Sequence, residues 1–215
     1  MASGKKKSFC GSLKDSLTGF KKSNLKKTDT KVITVGGESY IESHDEDGKV
    51  VSQKSVGQTY GFVGWGIPDM QVGEILPGLL LSSQDVACDE ETLHKYNVTH
   101  ILNVASFVDE HFPKSFTYKS IKIDDHPDFE ITRTFDRAFQ FIDQGRASEN
   151  GVVLVHCNAG VSRAATIVIA YLMSSEGMTL THAYSHVKDK RPAIRPNDGF
   201  QSKLKAYEEE LKRQN

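Results

Sequence analysis

The sequence predicts an α/β fold with a central mixed sheet of about five strands flanked by helices. From about residue 67 onward, short apolar stretches of strand length alternate with longer stretches that carry apolar residues at helical spacing. Val152 to Val155 is apolar at every position, as in a central strand that helices cover on both sides. Strands that alternate with helices in this way indicate one sheet between layers of helices.

The predicted elements follow one another closely along residues 67–213, which we expect to form one domain. The strands are predicted at Met70 to Ile75, Leu79 to Leu81, His100 to Val104, Phe116 to Ile123 and Val152 to His156. The helices are predicted at Asp85 to Tyr96, Thr134 to Ala147, Val161 to Ser175, Thr179 to Lys190 and Asn197 to Arg213.

Residues 1–66 predict a basic, largely disordered N-terminal arm. Residues 1–31 contain nine lysines and two aspartates, a net charge of +7, so the remaining chain carries −8 to give the total of −1. Lysine, serine, threonine and glycine dominate the arm, and such a composition buries too little apolar surface to fold. Val32 to Val35 and Val50 to Val51 are candidates for short strands within it.

The sequence predicts a cytoplasmic protein, with the nucleus as an alternative. No stretch approaches the roughly 20 apolar residues that cross a bilayer, and the lysine-rich N-terminus lacks the apolar centre of a secretory signal. The three cysteines, Cys10, Cys88 and Cys157, cannot form a closed disulfide framework, which indicates a reducing compartment.

The most informative motif is His-Cys-Asn-Ala-Gly-Val-Ser-Arg at residues 156–163, between an apolar strand and an apolar helix. Backbone N–H groups and the helix dipole favour an anion at such a strand-to-helix loop. Gly160 allows a turn tight enough for successive N–H groups to point inward. The predicted phosphate-binding residues are therefore Asn158, Ala159, Gly160, Val161, Ser162 and Arg163.

The side chains of this loop predict nucleophilic chemistry on phosphate. The loop and the helix dipole favour the thiolate of Cys157, which can attack phosphorus. Arg163 can hold two phosphate oxygens with its planar guanidinium, which a lysine could not do. We expect His156 to orient the loop and tune the thiolate rather than to act as a base.

A departing serine, threonine or tyrosine oxygen needs a proton, so the site also requires a general acid. An acidic stretch at residues 124–130 follows the strand at Phe116 to Ile123, and it should lie at a strand end near the phosphate. Composition makes Asp124, Asp125 and Asp128 equivalent candidates, and a solvated acidic turn is the alternative interpretation.

The motif, the strand before it and the later pairs Arg191-Pro192 and Pro196-Asn197 resemble the catalytic domain of dual specificity protein phosphatases. The resemblance covers about residues 68–211. It implies the cysteine-phosphatase fold and hydrolysis of phosphotyrosine and of phosphoserine or phosphothreonine, without a metal or other cofactor. It also implies that the nucleophile is Cys157, the phosphate clamp Arg163, the general acid Asp125 and a supporting late-loop residue Asn197. A one-residue error in the alignment would make Asp124 the acid.

The resemblance implies phosphoprotein substrates, with stress-activated MAP kinases or their upstream kinases as candidates, and no nucleic acid partner. Phosphoinositides and RNA 5′-triphosphates are disfavoured because Asn158, Ala159 and Val161 are uncharged, whereas such anions favour extra basic residues in the loop. The alternative is a weakly active scaffold that binds kinases, with the basic arm at Lys5 to Lys31 docking on an acidic surface.

The sequence departs from the family pattern at Ala164, where many relatives have serine or threonine. In the family, that hydroxyl stabilises the thiolate as it leaves the phosphoenzyme. We therefore expect slow hydrolysis of the phosphoenzyme, and the sequence leaves open whether Ser162 substitutes for the hydroxyl.

Overall fold

The computed structural model describes residues 30–33, 38–45, 49–58, 68–106 and 108–214 of the chain. Its contacts divide the chain into two compact units, and the larger unit contains residues 68–214. The predicted basic segment before residue 30 and the predicted domain boundary at residue 66 lie outside the described residues.

The N-terminal part forms a three-stranded sheet in the order β1-β2-β3. Its strands are β1 (Thr30–Ile33), β2 (Glu38–His44) and β3 (Val50–Gln58). These strands differ from the expectation of a largely disordered arm, although both short strand candidates overlap them. Strand pairing satisfies backbone groups even where side chains are polar, and the low apolar content of the arm therefore gave little sign of it.

The larger unit contains a five-stranded mixed sheet in the order β4-β5-β8-β6-β7. Its strands are β4 (Gly73–Leu76), β5 (Leu79–Ser82), β6 (His100–Asn103), β7 (Thr117–Ser120) and β8 (Val153–His156). β4 pairs antiparallel with β5, whereas β5, β8, β6 and β7 are parallel. β8 is central and buried at every position, so the predicted sheet is confirmed.

Helices cover both faces of this sheet. They are α1 (Gln84–Ala87), α2 (Glu90–Lys95), a 3₁₀ turn (Ile131–Thr134), α3 (Phe135–Ala147), α4 (Arg163–Ser175), α5 (Leu180–Lys190) and α6 (Asp198–Gln214). Leu80 and Leu154 pack with α1 and α2, whereas Leu81 and Val155 join the larger core with α3 to α6. α4 is buried along residues 164–173, and residues 157–162 join it to the end of β8.

Several predicted boundaries differ from the structure. The strand predicted over Met70 to Ile75 begins at Gly73 and ends at Leu76, and the helix predicted from Val161 begins at Arg163. The helix predicted over Asp85 to Tyr96 is divided, because the Asp89 carboxylate accepts a hydrogen bond from the Thr92 N–H at 2.9 Å and caps a new helix. The strand predicted over Phe116 to Ile123 ends at Ser120, and residues 121–126 continue without regular structure.

Candidate active site

The predicted phosphate-binding loop joins the end of β8 to the start of α4. In β5, β8 and β6, the last residues Ser82, His156 and Asn103 are paired in register, so the three strands end at one edge of the sheet. Cys157 follows immediately and is a free cysteine that is only 1% exposed. The loop thus lies between the carboxyl edge of the sheet and the N-terminus of a 13-residue helix, a location that favours an anion.

Gly160 allows the loop to pack against β5. Its φ is +64°, and a Cβ atom built at this position would lie 2.3 Å from the backbone oxygen of Ser82. Any side chain here would strain the backbone and collide with the neighbouring strand.

The buried side chain of Arg191 hydrogen-bonds to the backbone of the phosphate-binding loop. The Arg191 Nε donates to the Gly160 carbonyl oxygen at 3.0 Å, and its Nη2 donates to that of Ala159 at 2.9 Å. Nη2 also lies 2.6 Å from Asp69 Oδ2, in an ion pair whose two side chains are buried. Because N–H and C=O of a trans peptide point in opposite directions, these contacts turn the N–H groups of Gly160 and Val161 away from Arg191.

Arg163 is the first residue of α4, and its guanidinium is anchored on both sides. Its Nη2 donates to Asn158 Oδ1 at 2.7 Å, and its Nη1 donates to the Ile123 carbonyl oxygen at 3.3 Å. Nε is buried and 3.3 Å from Asp125 Oδ2, yet it makes no hydrogen bond within the described ranges. The guanidinium is therefore positioned with a donor that an anion can use.

Asp125 is the acidic candidate that contacts the phosphate-binding loop. Its Oδ1 accepts a hydrogen bond from Ser162 Oγ at 2.7 Å and another from Asn197 Nδ2 at 2.9 Å. The backbone N–H of Asn197 donates to Ser162 Oγ at 3.2 Å. The predicted nucleophile loop, general acid and late-loop asparagine are therefore adjacent.

The other two acidic candidates face elsewhere. Asp124 Oδ1 accepts a hydrogen bond from Ser106 Oγ at 2.8 Å. Asp128 lies 3.6 Å from His126, and 93% of its side chain is exposed. The geometry thus favours Asp125 over the alternatives that the composition left open.

His156 is buried beside the cysteine. Burial lowers the pKa of His156 from 6.5 to about 4, because a charged imidazolium would lose its hydration there. Its Nδ1–H donates to the Cys157 carbonyl oxygen at 3.3 Å. A neutral ring with this contact fits the predicted role in orienting the loop rather than that of a base.

Sequence reasoning gave no role to Arg191, Asp69 or Gln84, although all three support the loop. Gln84 Oε1 accepts a hydrogen bond from Asn158 Nδ2 at 3.0 Å. Asp69 and Arg191 are 122 residues apart, and no local pattern joins residues at such distances. The one available signal was the Arg191-Pro192 pair, which contributes to the family resemblance.

The chain is similar in sequence to known proteins. The family model described as "Dual specificity phosphatase, catalytic domain" matches residues 79–210. The mouse (Mus musculus) protein "Dual specificity protein phosphatase 19" is 48% identical over 199 residues, which cover 92% of this chain and 90% of that protein. "Dual specificity protein phosphatase 1" of Arabidopsis thaliana is 45% identical over 62% of this chain and 67% of its own length.

Solved structures share the fold. The crystal structure of human tyrosine phosphatase-like serine/threonine/tyrosine-interacting protein has a TM-score of 0.62 at 37% identity, covering 66% of this chain and 97% of that one. The crystal structure of DUSP15 has a TM-score of 0.61 at 32% identity, covering 67% and 94% of the two chains.

The fold is that of the dual specificity phosphatase catalytic domain. The chain belongs to the dual specificity phosphatase family, and it is accordingly a protein phosphatase, an enzyme that hydrolyses phosphoric monoesters. Among the residues that the structure describes, no helix is long and apolar enough to cross a membrane.

Proposed function

We propose that the protein hydrolyses phosphotyrosine and phosphoserine or phosphothreonine through a cysteinyl-phosphate intermediate. The observation that carries this proposal is the 2.7 Å contact between Ser162 of the phosphate-binding loop and Asp125 of the acidic loop. This contact brings the acidic loop against the loop that carries Cys157 and Arg163. A nucleophile, an anion-binding guanidinium and a proton donor therefore lie at one site.

In the first step, the Cys157 thiolate attacks phosphorus, so that an S–P bond forms as the P–O ester bond breaks. The leaving oxygen takes the proton of the Asp125 carboxyl group. Arg163 and the loop N–H groups stabilise the charge that spreads over the three remaining phosphate oxygens.

In the second step, water attacks the phosphorus of the phosphoenzyme and gives its proton to the Asp125 carboxylate. The S–P bond breaks, phosphate leaves and the Cys157 thiolate is restored. Ala164 has no hydroxyl to donate to that thiolate, so we expect this step to limit turnover.

The test is burst and steady-state kinetics on a fluorogenic aryl phosphate. The proposal predicts steady turnover by the full chain that is lost in Cys157→Ser, because serine is a far weaker nucleophile at neutral pH. Phosphate binding should persist in this variant, since the loop is otherwise unchanged. Residual turnover in Cys157→Ser would contradict the covalent mechanism.

We further propose MAP kinases, or the kinases upstream of them, as substrates. The names of two relatives support this: "Dual specificity protein phosphatase Mpk3" of Drosophila melanogaster, 42% identical, and "MAP kinase phosphatase with leucine-rich repeats protein 3" of Dictyostelium discoideum, 43% identical. The chain spans only 34% and 16% of these proteins. Faster dephosphorylation of a phosphorylated MAP kinase than of an unrelated phosphoprotein is expected, and equal rates would contradict this choice.

A second function, binding of kinases with little turnover, is favoured by Ala164 and by the similarity to the human interacting protein described as phosphatase-like. The same kinetics separate the two functions. A single burst followed by very slow turnover would implicate Ala164, whereas no reaction by the wild type would favour binding alone.

A further inference from the structure

We propose that the side chain of Ser162 positions Asp125 as the general acid, and that it serves neither the thiolate nor the helix N-terminus. This inference rests on the proposed function, because it assigns a positioning residue within that reaction. It also answers the question that Ala164 raises, namely whether Ser162 replaces the missing hydroxyl.

The contact geometry favours this role. Ser162 Oγ is nearly buried and donates to Asp125 Oδ1 at 2.7 Å, while it accepts the Asn197 N–H at 3.2 Å. Asn197 Nδ2 donates to the same Oδ1 at 2.9 Å. Since two donors occupy Oδ1, the proton for the leaving group is carried on Oδ2, the oxygen that lies 3.3 Å from Arg163 Nε. Ser162 thereby fixes which carboxyl oxygen faces the phosphate clamp.

The Ser162 side chain also does not cap the helix that follows it. Ser162 is the N-cap residue of α4, where a serine oxygen normally accepts a hydrogen bond from an N–H of the first turn. Its side chain makes no such bond, whereas Asp89 and Thr179 do cap the helices that follow them. The first-turn N–H groups of α4 are thus left for an anion, and the hydroxyl is available to Asp125.

The same hydrogen bond prevents the Ser162 hydroxyl from donating to the thiolate. A serine hydroxyl has one proton, and that proton lies in the hydrogen bond to Asp125. Ser162 therefore cannot donate to the Cys157 thiolate while it holds the acid. Its loss should affect protonation of the leaving group.

The experiment compares Ser162→Ala with wild type on two substrates. One is a phosphotyrosine peptide, whose leaving group needs a proton, and the other is an aryl phosphate of an acidic phenol, whose leaving group does not. We expect kcat/KM to fall about tenfold or more on the peptide and less than about twofold on the aryl phosphate, because only the first reaction needs a well-placed acid. In an Asp125→Asn background, Ser162→Ala should cause no further loss on the peptide.

Two variants provide controls. Ser120 is an exposed residue at the end of β7, and Ser120→Ala removes its 2.8 Å hydrogen bond to the Glu110 carboxylate, so this variant should leave both reactions unchanged. Ser162→Thr keeps the hydroxyl and should restore the rate on the peptide. Equal losses on both substrates in Ser162→Ala would overturn the inference, since they would indicate a role in phosphate binding. Absence of turnover by the wild type would instead overturn the proposed function.

Discussion

The phosphate-binding loop and the acidic loop meet at one edge of the sheet, but they are held in different ways. The first is fixed through its backbone, by the close approach of Gly160 to β5 and by the bonds of Arg191 to loop carbonyls. The second is exposed at residues 124–128, and its acid is held by side-chain hydrogen bonds from Ser162 and Asn197. The nucleophile thus depends on the fold, whereas the acid depends on contacts that single substitutions remove.

The largest effect is expected from breaking the buried support behind the phosphate-binding loop. Asp69→Asn keeps the size of the side chain but leaves the Arg191 guanidinium buried without its counter-charge. Loss of one partner from such a pair costs about 3–5 kcal/mol of the free energy of unfolding, which urea denaturation measures. Glu209→Gln, which breaks an exposed ion pair with Lys212, should leave this free energy unchanged. Equal stability of both variants would contradict a supporting role for Asp69.

The second prediction concerns a substitution that distorts the phosphate-binding loop. Gly160→Ala adds a Cβ that would collide with the backbone oxygen of Ser82, so the loop must shift. This variant should lower kcat/KM about 100-fold on any aryl phosphate, because displacing reacting groups by about 1 Å can slow a reaction about 100-fold. Gly177→Ala is the matched control, since Gly177 has a similar φ of +63° but no atom within 4 Å of the added Cβ. Wild-type activity in Gly160→Ala would show that the loop does not need this close approach.

The third prediction concerns the acidic loop. Asp125→Asn should lower kcat/KM about 100-fold on a phosphotyrosine peptide and far less on an aryl phosphate with a good leaving group, because only the peptide reaction needs the acid. Asp124→Asn should behave like wild type on both substrates, since Asp124 is bonded to Ser106. The opposite order of the two variants would identify Asp124 as the acid.

The smallest effect is expected from restoring the hydroxyl that the family usually has after the arginine. Ala164→Ser should raise the rate of phosphoenzyme hydrolysis about fivefold, which is the order expected for one added hydrogen bond to the leaving thiolate. Single-turnover kinetics separate this rate from that of the burst. An unchanged second phase would show that the thiolate does not need this hydroxyl.

The same contrast explains how much of the molecule the sequence could predict. Local sequence patterns specify the five strands of the larger sheet and the phosphate-binding loop. Residues 152–163 therefore predicted both the central strand and the position of Cys157. The choice among Asp124, Asp125 and Asp128 was open on composition, because it depends on contacts with Ser162 and Asn197, 37 and 72 residues from Asp125. Asp69 was missed for the same physical reason.

The N-terminal strands and the divided helix show a second limit. β3 (Val50–Gln58) is polar at most positions and exposed over residues 50–55, so hydrophobic periodicity gave little sign of it. Asp89 divides the predicted helix through a side-chain cap that competes with helix continuation.

The most direct test of the account is rapid-quench mass spectrometry of the wild-type chain reacting with an aryl phosphate. The account predicts a phosphoryl group on the peptide that contains Cys157 during the burst, and its decay at the rate of steady turnover. Turnover without phosphorylated Cys157 would contradict the covalent mechanism, because water would then attack the substrate directly.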